Sequence, residues 1–371
     1  MMAPMRESYE PQAASGAIAP SRRVNVVFHR IAHHAAHSGY AQIVDHLARR
    51  LPVRRLPARV PGLLPRAAAD ELIERAEMSF YNRQSLGHEI AAAQCLLRHR
   101  SQICHLLYGE DTYCHLATVS PALRLRRGRL VCTYHQPPAF FEAVVRTPDR
   151  ARRLRQLSAI VVPSSAQAAY FGALVGDDRV FVVPHGVDTG FFRPPPFRPP
   201  SSGVRCVVVG SWLRDFALLG EVIERVRAVA GQVTFDVVAG DEARAHLEGR
   251  PGVVTRSGIS DPELLSAYQQ ADLCVLPLLD STANNSLLEA LACGLPVVVT
   301  GCGGVCDYVD AQCAILTSPG EAGDMAEAIL RLAADRSRRV EMGRASRRVA
   351  TALDWEVGAE RLVGVYAAVG S

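Results

Sequence analysis

Lysine is absent from all 371 residues, so each of the 41 basic side chains is an arginine. That absence removes whole classes of chemistry. No lysine can form a Schiff base with pyridoxal phosphate, and no phosphate-loop lysine exists for a nucleotide-hydrolysing motor. GC-rich coding accounts for the arginine bias itself. The ten cysteines include no CxxC pair and no metal-ligand spacing, and several stand in apolar runs, such as Cys206 in VRCVVVG and Cys274 in ADLCVLP. They read as reduced core residues. No uninterrupted apolar segment approaches the ~18 residues that cross a bilayer, and the first twenty residues hold no apolar core long enough for a signal peptide. A cytoplasmic protein, soluble or peripheral at the inner face of a membrane, is expected.

Apolar residues make up 49% of the chain, enough for two domains each with its own core. Charged residues are 21% and the formal net charge is +4. Division at Gly190 separates 24 basic and 15 acidic residues from 17 basic and 22 acidic, so the halves carry +9 and −5. Nucleic acid is not expected as a partner, because no aromatic-rich RNA motif, zinc-finger spacing or helix-turn-helix signal accompanies the arginines. An anionic acceptor or an anionic membrane surface explains the basic half as well. Arg124, Arg126, Arg127 and Arg129, then Arg146, Arg150, Arg152, Arg153 and Arg155, could meet lipid head groups, although solvated helix faces have the same sequence signature.

Residues 1–21 are rich in Ala, Pro and Ser and read as a disordered tail. From Arg22 the run VNVVFH reads as a strand, HHAAHSGY as a loop and Ala41 to Arg50 as a helix. ICHLLY, LVCTYH, AIVVPS and RVFVVPHG read as further strands, with a helix over SSAQAAYFGALVG. The proline-dense stretch 193–203, RPPPFRPPSSG, suits neither element and reads as a linker between a domain at 22–192 and one at 204–352. Beyond it the alternation restarts with CVVVGSW, a helix from about Phe216 to Ala230, VTFDVVAG, GVVTRSG, a helix over DPELLSAYQQ, and DLCVLP. The fold class is therefore α/β, two Rossmann-like doubly wound domains, with a final helix in 353–371 packing across their junction.

The stretch Asp280 to Asp307, DSTANNSLLEALACGLPVVVTGCGGVCD, reads as a helix, a buried strand and a glycine-rich turn. Asn284, Asn285 and Ser286 offer capping side chains before LLEALAC, Gly294 supplies a left-handed stop, and Pro296 opens the run Val297 to Thr300. Amides at that helix start, Ser286 and Leu287 among them, can hold an anion, and Glu289 is close enough to hydrogen-bond a ribose diol. A second amide-rich turn, Gly301 to Gly304, follows the strand.

ALACGLPVVVTGCGG, together with VVPHGVDTGFFRP, GISDPELLSAYQQADLCVLP and DWEVGAERLVGVY in that order, resembles the family-4-type retaining glycosyltransferases of the GT-B fold (glycosyl transferases group 1). The resemblance extends over most of the chain. It implies two domains facing each other across a cleft, the second holding an NDP-sugar donor and the first a glycan or lipid-linked acceptor. It also implies transfer with retention, no bound cofactor and no metal, in surface polysaccharide or glycolipid synthesis. The family's second glutamate, which holds the nucleotide ribose, falls at Glu289. Its first falls eight positions earlier, where this chain has Ser281, with Asp280 next door as the nearest carboxylate. Asn284 and Asn285 stand in the place of the family's GFG and can either hydrogen-bond sugar hydroxyls or cap the helix.

The family's arginine after the first strand of the second domain is missing from Gly210-Ser211-Trp212-Leu213-Arg214. Arg214 becomes the candidate for gripping the donor diphosphate, its alternative being a surface pair with Asp215. The backbone at Gly258 and Ile259 would meet the base, and Gly303 and Gly304 the donor. In the first domain Gly39 would let the backbone approach the donor phosphate, with His37, Ser38 and Tyr40 on the acceptor side. His135 matches a position where the family keeps a histidine near the transferred sugar, a buried structural histidine being the alternative. His185 and Asp188 read as turn-forming. A metal site among His29, His33, His34 and His37 is disfavoured, since no carboxylate or cysteine completes the ligands. Two other readings stand beside transfer: a GT-B protein that binds NDP-sugar without turnover, and an NDP-sugar epimerase.

Overall fold

The computed structural model describes residues 23–370 apart from 29–35, 61, 63, 77, 99–101, 118–128, 145–149 and 198–202. The expected tail, His29, His33, His34, Arg124, Arg126, Arg127, Arg146 and residues 198–202 of the proline linker lie outside the described residues.

The first sheet comprises β1 (Val24–Val27), β2 (Val53–Arg55), β3 (Ile103–Leu106), β4 (Arg129–Thr133), β5 (Ala159–Val162) and β6 (Val180–Val182), in the order β2-β1-β3-β4-β5-β6. The second comprises β7 (Val204–Val209), β8 (Val233–Val238), β9 (Val253–Arg256), β10 (Leu273–Leu276), β11 (Val297–Thr300) and β12 (Ala314–Thr317), in the order β12-β11-β10-β7-β8-β9. Every ladder is parallel. The central strands are buried on both faces, which is why they read as unbroken apolar runs. In each sheet the strand order reverses once, between β1 and β3 and between β7 and β10. Ligands of open α/β sheets bind outside the carboxyl ends of the strands at such a reversal. The loops leaving those ends carry His37–Gly39 and Tyr108–Glu110 in one domain, and Gly210–Arg214 and Asp280–Ser281 in the other.

The helix Trp355–Gly370 follows the second domain in sequence but packs on the first, as expected. Trp355, Ala359, Leu362, Val365 and Tyr366 join Val24, Val26, Tyr40, Ile43 and Leu47 in one buried cluster. Each large side chain so buried contributes about 1.5–3 kcal/mol, before the cost of ordering it. The Tyr366 hydroxyl pairs with His105 Nδ1 at 2.7 Å, and His105 Nε2 with Thr133 Oγ1 at 2.8 Å. Burial pushes the His105 pKa down to about 3, so this ring is neutral.

Candidate active site

The helix Asn285–Ala292 forms for the reasons its sequence suggests. Asn284 Oδ1 accepts from Leu287 N at 3.1 Å, and Gly294 takes φ +70° past the C-terminus. Of the two roles open to Asn284, the structure shows the cap. Glu289 lies on the buried side of this helix at 4% exposure. Its Oε2 accepts from the Tyr268 hydroxyl at 2.9 Å, and its Oε1 accepts from the Ser38 hydroxyl of the first domain at 2.6 Å. Burial raises the Glu289 pKa, while those two hydrogen bonds oppose the rise. A narrow crevice, with room for about one water and open to solvent, runs beside this contact, lined by His37, Ser38 and Gly39 on one side and Asn285, Leu288 and Glu289 on the other, with Trp355 also in its lining. Gly39 has φ +88° and belongs to this lining, as its sequence context suggests.

Arg214 is the largest correction. It is 6% exposed and turned into its own domain. Nε and Nη2 donate to Val209 O at 3.2 and 2.9 Å, Nη1 to Trp212 O at 3.0 Å, and Nη2 also reaches Asn284 Oδ1 and Ser286 Oγ at 3.1 and 3.2 Å. A guanidinium so engaged fastens the β7 loop to the start of the Asn285 helix and leaves little donor capacity for a diphosphate. Burial lowers its pKa to about 10, so it remains charged at neutral pH. The pairing with Asp215 is also absent, since Asp215 caps the helix Phe216–Val229 through Leu218 N. Sequence gave no sign of the inward turn, which depends on Leu213 at φ +52°.

The glycine turn is likewise not a set of open amides. Gly301 N donates to Thr317 O, Cys302 N to Thr300 O and Gly304 N to Ser281 O, at 2.8, 3.0 and 2.8 Å. What the glycines provide is closeness. A Cβ on Gly303 would collide with Ser281 O and Asp280 Oδ1, and one on Gly304 with Thr282 O and with Ser164 of the first domain. Asp280 Oδ1 accepts from Ser281 N at 2.7 Å, so this carboxylate is held locally beside the turn. Gly210, at φ +91°, packs against Arg214 and Ser286. Ser211 Oγ accepts from Gly240 N at 2.8 Å. Gly258, at φ +64°, and Ile259 lie on the loop after β9, outside the crevice lining.

In the first domain His37 stacks on Phe191, ring centroids 3.7 Å apart, and donates from Nδ1 to Asp188 Oδ2 at 2.7 Å. Tyr40 was expected on the acceptor side and is instead a core residue, 2% exposed, packed among His135, His185 and Trp355. His135 is also a structural group here. Its Nε2 donates to Leu107 O at 2.7 Å, its amide donates to Glu110 Oε1 at 3.0 Å, and its carbonyl receives the Thr282 hydroxyl of the second domain at 2.5 Å. His185 is buried neutral, its pKa pushed down to about 3 by desolvation. Of the arginines with a suggested membrane role, Arg129 donates to Val369 O and Arg150 to Glu142 and Tyr170.

Further contacts hold the domains together. Asp307 accepts from Ser165 N and Ser165 Oγ at 2.6 and 2.7 Å, and the Tyr308 hydroxyl donates to Pro163 O at 2.6 Å while accepting from His185 N at 3.0 Å. With Ser38–Glu289 these form a clasp of hydrogen bonds between the domains. Pockets for ligands of ordinary size hold roughly 300–1,000 Å3, whereas this crevice holds about one water, so the two domains stand closed on it. Tyr268, Thr282, Asp307 and Trp355 belong to this arrangement and were not singled out in the sequence. Among the described residues no group of three or more His, Cys, Asp or Glu side chains converges as a metal-ligand set.

The family model for glycosyl transferases group 1 matches residues 204–335, and the model for glycosyltransferase family 4 matches residues 24–191. An MMP alpha-(1->4)-mannosyltransferase of Mycolicibacterium hassiacum is 27% identical over 227 residues, covering 58% of this chain and 55% of that protein. A D-inositol 3-phosphate glycosyltransferase of Paenarthrobacter aurescens is 30% identical over 207 residues, covering 48% and 49%. The chain thus spans about half the length of these curated relatives. In solved structures, an alpha,alpha-trehalose 6-phosphate synthase from Burkholderia multivorans superposes with TM-score 0.69 at 16% identity, over 92% of this chain and 97% of that one. A sucrose-phosphate synthase from Thermosynechococcus elongatus gives TM-score 0.68 at 19% identity, over 93% and 98%. These two likenesses establish the fold, the two facing Rossmann-like domains of GT-B proteins. The two family models together span most of both domains, and the chain belongs to the family 4, group 1 glycosyltransferases.

Proposed function

We propose that this protein transfers a sugar from an NDP-sugar to a hydroxyl of a glycan or lipid-linked acceptor, with retention, in the synthesis of a surface polysaccharide or glycolipid. One observation carries the reading: the buried Glu289 carboxylate faces Ser38 and Gly39 across the interdomain crevice, at the start of a helix whose amides can hold an anion. In this reading the ribose diol takes the place of the Ser38 hydroxyl on Glu289, and the diphosphate lies at the tip of the Asn285 helix. Closure brings the acceptor oxygen to the anomeric carbon. The C1–oxygen bond to the diphosphate breaks, the C1–oxygen bond to the acceptor forms on the same face, and the acceptor proton passes to the departing phosphate. The helix-end amides stabilise the leaving charge without a metal ion. Arg214 contributes by fixing the loop and the helix start, not by gripping phosphate.

A second reading, a protein that binds NDP-sugar without turnover, draws on Ser281 in place of the family's first glutamate and on the inward Arg214. NDP release from UDP-, GDP- and ADP-sugars, with and without cell-envelope extract as acceptor, separates the two. Acceptor-dependent release supports transfer. A thermal shift with nucleotide sugar but no release supports the second reading.

A further inference from the structure

Three aromatic side chains meet across the domain boundary. Phe80 and Phe140 of the first domain stack at 5.9 Å with an interplanar angle of 18°, and Trp212 of the second domain meets Phe140 edge-on at 4.9 Å. Phe80 is 44% exposed and Trp212 52%. Phe140 lies on the helix Pro138–Val144 just after β4, and Trp212 in the loop just after β7, so both stand at strand ends that face the opposite domain. Leu213, the one non-glycine residue at positive φ among the described residues, makes the turn in which Arg214 goes inward and Trp212 stays out. An unfavourable backbone conformation that keeps a large aromatic in solvent points to use rather than packing.

Resting on the transferase reading, we propose that Phe80, Phe140 and Trp212 form a stacking platform that holds a pyranose ring of the acceptor glycan. The C–H face of a sugar meets the negative face of an aromatic ring, and its hydroxyl edge meets hydrogen-bonding groups. Such groups border the platform on the second domain's side: Asp241 and Glu242 follow the Gly240 amide bonded to Ser211, the residue before Trp212. These exposed carboxylates repel an anionic lipid surface and accept from sugar hydroxyls, so charge favours a neutral glycan as the occupant.

Tryptophan fluorescence tests this directly, because the chain has only two tryptophans and Trp355 is 1% exposed. The full chain, with UDP or GDP present, is titrated with maltotriose, α-mannotriose and chitotriose, and separately with anionic phosphatidylglycerol vesicles. A saturable blue shift with at least one trisaccharide is expected, weakened roughly fivefold in Phe80→Ala, the scale of one lost stacking contact. No response to any of the three, a response untouched by Phe80→Ala, or a response to vesicles alone overturns the platform. Thermal shift with the nucleotides in the same samples reads donor binding separately, so a retained nucleotide shift without a sugar response refutes the platform and leaves the transferase reading standing.

Discussion

The Ser38 hydroxyl donates to Glu289 Oε1 at 2.6 Å across the interdomain cleft, joining residues 251 positions apart. Ser38 therefore occupies one oxygen of the carboxylate assigned to the ribose and competes with it. Ser38→Ala should leave nucleotide affinity unchanged or tighten it about two- to fivefold, since one hydrogen bond to a charged group no longer has to be exchanged. Calorimetric titration with UDP and GDP reads this; a tenfold loss of affinity would show instead that Ser38 is a nucleotide ligand.

Arg214 separates structural from direct roles. Arg214→Ala removes the donor from Val209 O and Trp212 O and leaves Asn284 Oδ1 with Leu287 N alone, at a cost of roughly 2–4 kcal/mol, a fall in Tm of several degrees. Arg214→Lys should recover only part of this, because one ammonium cannot span the fork. A Tm of the free protein equal to wild type, with nucleotide affinity lost, would restore Arg214 as the phosphate grip.

At Gly304 the backbone of the second domain meets the Ser164 side chain of the first, with Thr282 O of its own domain on the other side. Gly304→Ala should hold the cleft ajar and lower turnover by about 100-fold, the scale of an ångström's misplacement at a reacting centre, while nucleotide binding stays within a few-fold. Steady-state kinetics beside nucleotide titration tests this, and normal turnover would show that closure does not depend on this contact.

Glu110 is 4% exposed, with Oε1 accepting from His135 N and Oε2 buried without a hydrogen-bond partner. Burial, aided by Asp111, raises its pKa to about 8. The folded state thus binds the proton more tightly than the unfolded chain, so the stabilisation is complete below the ordinary glutamate range and disappears as pH rises through about 8. Glu110→Gln should match wild type near the acidic end of that window and exceed it in stability above it, by at most a few kcal/mol. Urea unfolding of both proteins at the two ends gives the comparison. An equal offset at both would place the proton elsewhere.

The helix Asn285–Ala292, its asparagine cap and its Gly294 stop were legible because local capping chemistry and a left-handed position decide them. The buried parallel strands were legible as unbroken apolar runs. β2 was not, because it is a short edge strand whose Arg54 and Arg55 are exposed. Glu289 could be singled out from its helix and motif, whereas its partners Ser38 and Tyr268 reach it only through tertiary packing. Arg214 and Tyr40 were misassigned for one reason: sequence spacing gives a residue's neighbourhood but not whether its side chain turns toward the cleft or the core.

The central claim is that Glu289 serves the donor. The most direct measurement is acceptor-dependent NDP release by wild type and Glu289→Ala, each first shown to be folded by its Tm. The account predicts a loss of release of about 100-fold or more, with weakened nucleotide binding. Near-normal transfer by the variant would contradict it.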